Sequence, residues 1–181
     1  MPSDSDEDRR HFSEYFAARH EVVRRAAYLM CGDWHWADDL TQSAFIRLAA
    51  GWHRIRDPLA VDAFVRTCLV RAYLSETRRL WRRRERPMAE PPDVPGAGDD
   101  AEDATRRVVF ARALRQVPPR QRVTLICRFY QGMDVAETAA ALGCSEGTVK
   151  SQTARGLATL RAVLGDAVAV TAPAWATEGS G

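Results

Sequence analysis

The chain has 181 residues, of which 46% are hydrophobic and 28% are charged. This composition is typical of a soluble globular protein with one medium domain or two small ones. No apolar run reaches the roughly 18 residues that a membrane-spanning helix needs, and the acidic N-terminus lacks a secretory signal pattern. The four cysteines lie far apart and form no Cys-x-x-Cys pair. We therefore expect a cytoplasmic protein without membrane insertion, disulfide framework or metal site.

The charges are segregated along the chain, although the formal net charge is only +2. Residues 64–86 contain eight arginines and two glutamates, and residues 104–161 contain nine arginines and one lysine against three acidic residues. Between these blocks, residues 87–103 contain six acidic residues and no basic one. Two basic blocks separated by an acidic one indicate contacts with a polyanion at two places. Helix faces that are simply solvated are the alternative.

Apolar residues at spacings of three and four predict three helices in an N-terminal domain over residues 11–86. Gly32 is a candidate end for the first helix, and Asp33 is a candidate N-cap for the second. No segment alternates as a half-buried strand does. The three helices are predicted at about 12–31, 34–50 and 60–86.

A proline-rich and acidic segment, residues 87–103, follows the first domain and holds four of the nine prolines. Because proline interrupts a helix and this segment cannot bury a core, it is predicted to be an extended linker. A second small helical domain is predicted over residues 104–164. The remaining residues, 165–181, are predicted to form a flexible tail.

The second domain predicts four helical pieces that include a helix-turn-helix. Asp134 and Glu137 match a capping box, and Ser145 follows a glycine-containing turn as a candidate cap. A short helix, a tight turn and a second helix with a polar N-terminal half form the arrangement that places its second helix in the major groove of DNA. An ordinary helical hairpin with a polar face is the alternative. The four pieces are predicted at about 104–116, 119–131, 134–142 and 146–164.

In the last predicted helix, an inward apolar face leaves a polar face near the helix start. The residues predicted to pack inward are Val149, Thr153, Leu157, Leu160 and Leu164. The residues turned outward, or flanking that face, are Gly147, Thr148, Lys150, Ser151, Gln152 and Arg155. Because the N-terminal end of a helix favours phosphates and supplies base-edge contacts, this face is the candidate DNA-reading surface.

Aromatic residues accompany the arginine-rich third helix. Arginine together with aromatic rings suits single-stranded or melted nucleic acid, because bases stack on the rings while phosphates pair with guanidinium groups. Helical spacing favours a core position for Phe64 and Tyr73. Trp52, in a loop, and Trp81, among the arginines, are therefore the better candidates for stacking on a base.

Three segments resemble those of the small two-domain alternative sigma factors of bacterial RNA polymerase, the extracytoplasmic-function class. Residues 37–48, Ala-Asp-Asp-Leu-Thr-Gln-Ser-Ala-Phe-Ile-Arg-Leu, are similar to the helix with which the family binds the polymerase clamp. Residues 117–122, Val-Pro-Pro-Arg-Gln-Arg, and residues 136–151, from Ala-Glu-Thr to Val-Lys-Ser, resemble the family's second domain. The resemblance covers about residues 12–164. It implies an all-α fold in which a region 2 helical bundle and a region 4 helix-turn-helix are joined by the acidic Pro/Gly-rich linker.

The resemblance also implies a function. The chain would bind core RNA polymerase, direct it to the −35 and −10 promoter elements and promote DNA melting for transcription initiation. Its partners would be the clamp of the largest polymerase subunit, the flap of the second subunit and promoter DNA, with an anti-sigma factor as a further partner. The acidic linker would thread toward the active-site and RNA-exit channels of the polymerase. No cofactor and no catalytic residue are implied.

Site residues follow from the same resemblance, position by position. The polymerase-binding residues would be Asp38, Asp39, Leu40, Gln42, Phe45 and Arg47. The residues that bind and melt the −10 element would be Trp52, Arg54, Arg56, Asp57, Phe64, Arg66, Arg71, Arg78, Arg79 and Arg82. The residues that bind the −35 element would be Glu146, Gly147, Thr148, Lys150, Ser151 and Arg155.

Two other functional classes compete with this one. A stand-alone helix-turn-helix regulator, with an N-terminal domain that senses a ligand or dimerises, is the alternative reading. An enzyme acting on nucleic acid is disfavoured, because the chain lacks a phosphate loop, a His-Glu-x-x-His helix and a nucleophile elbow. Asp38 and Asp39 could be imagined as a metal-binding pair, but adjacent residues on a helix point apart. The four histidines show no ligand spacing, so we expect no catalysis.

Overall fold

The computed structural model describes residues 4–55, 57–83 and 101–165. The chain divides into two compact units, Met1–Pro87 and Met88–Gly181. No strand occurs among the described residues, and the two helical units confirm the predicted all-α fold. In the same residues, no helix is both long enough and apolar enough to span a membrane.

The described residues of the first unit form three helices and one short turn. Helix α1 covers Asp4–Cys31 and α2 covers Trp34–Gly51. A 3₁₀ turn over Trp52–Arg54 leads to α3, Pro58–Arg83. Helix α2 packs against both α1 and α3, so it is the central element of this unit.

The boundary between α1 and α2 follows the local chemistry predicted from the sequence. Gly32 has a φ of 77°, which a glycine adopts without strain, and it ends α1. The Asp33 carboxylate accepts a hydrogen bond from the Trp36 backbone N–H at 2.7 Å, so Asp33 is the N-cap of α2. Both predictions are confirmed. Proline at the first position of α3 fits its preference for helix starts.

The core of the first unit lies where the three helices meet. Its most deeply buried large side chains are Met30, Leu40, Leu48, Val65, Leu69, Val70 and Tyr73. The apolar stripe predicted along α1 is only partly buried: Val23 and Ala26 lie in the core, whereas Phe16 and Val22 are exposed.

A polar cluster around Asp62 ties α1 to α3. The Tyr15 hydroxyl donates to Asp62 Oδ1 at 2.6 Å, and the Arg19 guanidinium donates to both carboxylate oxygens at 3.1 and 2.7 Å. Burial, together with the hydrogen bond to Asp62, raises the pKa of Tyr15 above its ordinary value. Three charge-assisted hydrogen bonds on one carboxylate therefore fix the relative position of the two helices.

Residues 101–165 of the second unit contain four α-helices, and the first of them starts earlier than predicted. Residues 101–103 were predicted to be linker, but they form the start of α4; Glu102 and Asp103 carry the negative charge that a helix N-terminus favours. The remaining predicted linker and the predicted tail lie outside the described residues. The helices are α4, Ala101–Gln116; α5, Pro119–Leu125; α6, Val135–Leu142; and α7, Glu146–Leu164.

The helical segment predicted at about 119–131 is present, and its first part is the α-helix α5. It continues into a π turn over Ile126–Tyr130, in which the Gln131 N–H donates to the Ile126 carbonyl at 2.9 Å. The Met133 N–H then donates to the Cys127 carbonyl at 2.9 Å, and the Met133 side chain is buried. A π turn adds one residue to the helical repeat, so it changes which side chains reach the core.

The helix-turn-helix elements have the predicted caps. The Asp134 carboxylate accepts from the Glu137 N–H and the Glu137 carboxylate accepts from the Asp134 N–H, each at 2.7 Å, which is a complete capping box. Gly143 ends α6 with a φ of 64°, and Ser145 Oγ accepts from the Thr148 N–H at 3.1 Å at the start of α7. These three predictions are confirmed.

Helices α5 and α7 approach each other closely at Gly156. A Cβ atom added there would lie 3.1 Å from Leu125 Cγ and 3.3 Å from Gln121 Cβ. Leu125 is fully buried and has no room to move away. The core around this contact contains Leu114, Val117, Val123, Ile126, Val149, Leu157 and Leu160.

Candidate nucleic-acid and polymerase interface

The outward face of α2 contains part of the set assigned to polymerase binding. Asp39 and Gln42 are exposed, whereas Leu40 and Phe45 are only 1% and 3% exposed. The Phe45 ring packs edge-on against Phe16 of α1, with 4.8 Å between ring centroids. Leu40 and Phe45 are therefore core residues that hold α2 in place and are not themselves available to a partner.

Sequence reasoning missed Ile46, which is 62% exposed on the same outward face. It lies four residues after Gln42 and seven after Asp39, so the three side chains share one side of the helix. An exposed isoleucine among polar neighbours marks a surface suited to an apolar contact. A helical projection of α2 would have found it, because Ile46 falls outside the angle occupied by the buried residues.

Asp38 has a structural partner that the sequence did not reveal. Its carboxylate accepts hydrogen bonds from Arg24 Nε at 2.5 Å and from Arg24 Nη2 at 3.3 Å. The same guanidinium lies 4.3 Å from the Trp34 ring centroid, and Trp34 stacks on Tyr28. The hydrogen bond from Arg24 lowers the pKa of Asp38. Asp38 therefore links α2 to α1, and Asp39 is the carboxylate more available to a binding partner.

On α3, three residues of the predicted −10 set share one exposed stripe. Phe64, Arg71 and Arg78 are each seven residues apart and all are exposed. Seven residues are nearly two helical turns, so successive members are separated by about 10.5 Å along one side of the helix. Phe64 is 38% exposed, which corrects the preference for a core position, whereas Tyr73 is buried as expected.

Other members of the −10 set lie elsewhere. Arg66 is on a different side of α3, half-buried, and its Nε donates to the Asp62 carbonyl at 3.0 Å. Arg79 is exposed and pairs with Glu76 at 3.5 Å. The side chain of Arg82, like that of Trp81, lies outside the described residues, as does Arg56.

Trp52, predicted to stack on a base, already packs against aromatic side chains of α1. Its ring lies edge-on to Phe12 at 5.3 Å and tilted against Tyr15 at 5.8 Å. It lines a shallow depression of about 270 Å³ together with Asp8, Arg9, Phe12, Ala49 and His53. Arg54 beside it is exposed, and its Nε donates to His53 Nε2 at 3.3 Å. Asp57 is also exposed. Trp52 therefore packs on α1 and also lines this depression.

The start of α7 presents the polar face predicted for it. Glu146, Gly147, Lys150, Ser151 and Arg155 are exposed, and Thr148 is half-buried. The Thr148 hydroxyl lies 2.9 Å from Ser145 Oγ, and Ser151 Oγ donates to the Thr148 carbonyl at 3.0 Å. On the opposite side, the residues buried against the rest of the unit are Val149, Leu157, Leu160 and Leu164. Thr153, also predicted to pack inward, is half-buried.

Two family models match the chain. A model of Sigma-70 region 2 matches residues 15–83, and a model of Sigma-70 region 4 matches residues 107–160. The chain is 35% identical over 153 residues to the RNA polymerase sigma-E factor of Streptomyces avermitilis, covering 83% of each protein. It is 34% identical over 158 residues to the ECF RNA polymerase sigma factor SigM of Mycobacterium tuberculosis, covering 87% of this chain and 79% of that protein.

Two solved structures share the fold. The sigma factor RpoE of Bartonella quintana, solved with the anti-sigma factor NepR, has a TM-score of 0.67 at 21% identity, over 85% of this chain and 96% of that one. The structure of CnrH, solved with the cytosolic domain of CnrY, has a TM-score of 0.56 at 23% identity, over 86% and 88% of the two chains.

The two helical units, one ending in a helix-turn-helix, together with both domain matches, define a sigma-70-type transcription initiation factor. Within that class, the chain belongs to the extracytoplasmic-function (ECF) sigma factors of RNA polymerase. It acts with core RNA polymerase at promoter DNA in transcription initiation. The alternative of a stand-alone helix-turn-helix regulator finds no support in these matches.

Proposed function

We propose that this sigma factor contacts the −10 element through the exposed stripe of α3 and the −35 element through the start of α7. The observation that carries the proposal is which arginines have a carboxylate partner and which do not. In the part of the chain that the structure describes, neither Arg71 nor Arg78 has a carboxylate within ion-pair distance. By contrast, Arg19 and Arg24 of α1 are neutralised by Asp62 and Asp38.

The α3 stripe offers the two kinds of contact that a melted strand needs. Guanidinium groups that no carboxylate neutralises bind phosphates, and an exposed ring at Phe64 provides a surface for a base. Arg71 and Arg78 lie about 10.5 Å apart along one side of the helix, so they can contact different phosphates of one strand. The stripe therefore suits a strand that runs along the helix.

The start of α7 suits the major groove of duplex DNA. Helix N-terminal N–H groups and Lys150 favour phosphates, and the small Gly147 lets the helix approach closely. Thr148 and Ser151 keep acceptor capacity for base edges, because each hydroxyl oxygen has two lone pairs. Arg155 lies one turn beyond Ser151 and can hold the backbone.

We further propose that the outward face of α2, formed by Asp39, Gln42 and Ile46, docks on the clamp of the largest polymerase subunit, and that region 4 contacts the flap of the second subunit. An exposed isoleucine within a polar rim has the composition of a protein interface. Buried Leu40 and Phe45 would keep this face rigid.

Four further assignments complete the proposal. The chain acts in the cytoplasm, where its polymerase is found, and it has no catalytic activity of its own. Because both structural neighbours were solved with a bound protein, NepR or CnrY, a protein antagonist of the anti-sigma kind is proposed here too. The acidic segment after the first unit would occupy basic channels of the polymerase that otherwise receive RNA.

The test uses holoenzyme assembled from the cognate core polymerase, and promoters selected by transcription of fragmented genomic DNA. Lys150→Gln should weaken binding to a fragment with both promoter elements by roughly tenfold, because one charged contact is lost. Binding to a fragment that lacks the −35 element should be unchanged. Arg25→Gln, which removes an arginine already paired with Glu21, is the matched control. If Lys150→Gln holoenzyme binds both fragments as the wild type does, the assignment of α7 is wrong.

A further inference from the structure

The packing register of α2 and α3 brings Arg47 toward the exposed stripe of α3 that contains Phe64 and Arg71. Gly51, at the end of α2, lies beside Phe64, because a Cβ added to Gly51 would be 3.7 Å from Phe64 Cζ. At the other end of α2, the Trp36 ring lies 5.8 Å from that of Tyr73. The two helices are therefore antiparallel. Arg47, one turn before Gly51, comes to lie opposite the residues one turn beyond Phe64.

Those residues are Cys68 and, one turn further, Arg71. Burial raises the pKa of the Cys68 thiol, and the positive charges of Arg47 and Arg71 both oppose that rise. The electrostatic effect agrees with the packing register: two guanidinium groups, one from each helix, act on the same buried thiol. Arg71 also lies on the same exposed side of α3 as Phe64.

This pair of arginines has no counter-charge within the part of the chain that the structure describes. Among the residues that the structure describes, neither Arg47 nor Arg71 has a carboxylate within ion-pair distance, and both are exposed. Two adjacent like charges disfavour each other, and an anion between them removes that cost. Six other arginines of the same unit do pair with acidic side chains: Arg9, Arg10, Arg19, Arg24, Arg25 and Arg79.

Arg47 also points away from the face of α2 that carries Ile46. Successive residues on a helix are separated by about 100°, so Arg47 is turned from Ile46 by that angle. The turn is toward α3, since Gly51 and Trp36, which contact α3, lie on the same side of α2 as Arg47. One helix can therefore present two different surfaces to two different partners.

We propose that Arg47 and Arg71 form a two-helix clamp for a phosphate of the promoter strand at the −10 element, so that Arg47 is a DNA-binding residue and not a polymerase-binding one. This inference rests on the proposed function of α3. The two-helix clamp would hold the DNA backbone where α2 packs against α3, while the Phe64 ring contacts the adjacent base. It would also fix the strand against α2 as well as α3.

The experiment measures two affinities for each variant holoenzyme: that of the sigma factor for core polymerase, and that of the holoenzyme for a fork-junction promoter fragment with a single-stranded −10 element. Arg47→Gln should weaken DNA binding about five- to tenfold at moderate salt and reduce the slope of log K against log salt by about 0.7. Its affinity for core polymerase should stay within twofold of the wild type. Ile46→Ser should show the reverse pattern.

The outcomes separate this inference from the function on which it rests. If Arg71→Gln weakens DNA binding but Arg47→Gln does not, the proposed two-helix clamp of Arg47 and Arg71 is wrong, and the assignment of the α3 surface to DNA binding stands. If neither variant weakens it, the α3 assignment itself fails. A loss of core affinity in Arg47→Gln, with an unchanged salt slope, returns Arg47 to the polymerase surface. Because both side chains are exposed, the variants should melt at the wild-type temperature, and Arg25→Gln provides the matched control for lost charge.

Discussion

Replacing Gly156 by leucine should destabilise the second unit by about 2 kcal/mol, because overpacking a filled core typically costs 1–3 kcal/mol. Even a single Cβ at this position would lie 3.1 Å from Leu125 Cγ, and leucine adds three further carbons. Leucine has a better helix propensity than glycine, so any loss of stability comes from the contact between α5 and α7. Since α7 carries the proposed −35 surface, promoter binding should fall as the unit unfolds.

The two units can be followed separately in one unfolding experiment. Four of the five tryptophans lie in residues 34–81 and none lies in residues 101–165, so tryptophan fluorescence reports on the first unit. In Gly156→Leu, the far-ultraviolet circular dichroism transition should gain an early phase while the fluorescence midpoint in urea stays unchanged. Ala158→Leu, at an exposed position of the same helix, is the control. Equal stability of the two variants would show that the Gly156 contact is not limiting.

Replacing Asp62 by alanine should destabilise the first unit by about 2 kcal/mol, because removing one partner of a half-buried network leaves the others unsatisfied. The Tyr15 hydroxyl and the Arg19 guanidinium would both lose their acceptor. Since Asp62 joins α1 to α3, its loss should also loosen the base of the proposed DNA-binding helix. The fluorescence midpoint in urea should fall, and the holoenzyme should open promoters less efficiently.

An exposed ion pair on the same helix provides the comparison. Glu76→Ala removes the partner of Arg79, where both side chains are well exposed, and such pairs contribute about 0.5 kcal/mol or less. The fluorescence midpoint of Asp62→Ala should therefore lie clearly below that of Glu76→Ala. Equal midpoints would mean that the Asp62 cluster adds no more to stability than a surface pair does.

Local signals in the sequence were sufficient for helix boundaries. Gly32, Asp33, Asp134 and Ser145 each act through neighbours within three or four residues, so their roles as stops and caps can be predicted without knowledge of the fold. The helix-turn-helix and the inward side of α7 follow from the same short-range patterns. Acidic residues at the start of α4 hid its true boundary, because their charge was attributed to a linker.

Long-range partners could not be predicted in this way. Asp62 binds Arg19 and Tyr15, which lie 43 and 47 positions earlier in the chain. No local sequence pattern predicts these contacts. The π turn and the close approach at Gly156 likewise depend on how α5 meets α7. For the candidate site, residue type alone identifies the arginines of α3 as candidate DNA contacts. Only the packing shows that Arg71 and Arg78 are exposed and that Arg66 is half-buried.

The central claim is that the unpaired arginines of α3 bind the phosphates of promoter DNA. The most direct test is the salt dependence of holoenzyme affinity for a promoter fragment, measured for the wild type and for the double variant Arg71→Gln/Arg78→Gln. If each arginine releases a counterion on binding, the slope of log K against log salt should become shallower by about 1.5 in the double variant. Identical slopes, with promoter opening unaffected, would contradict the claim.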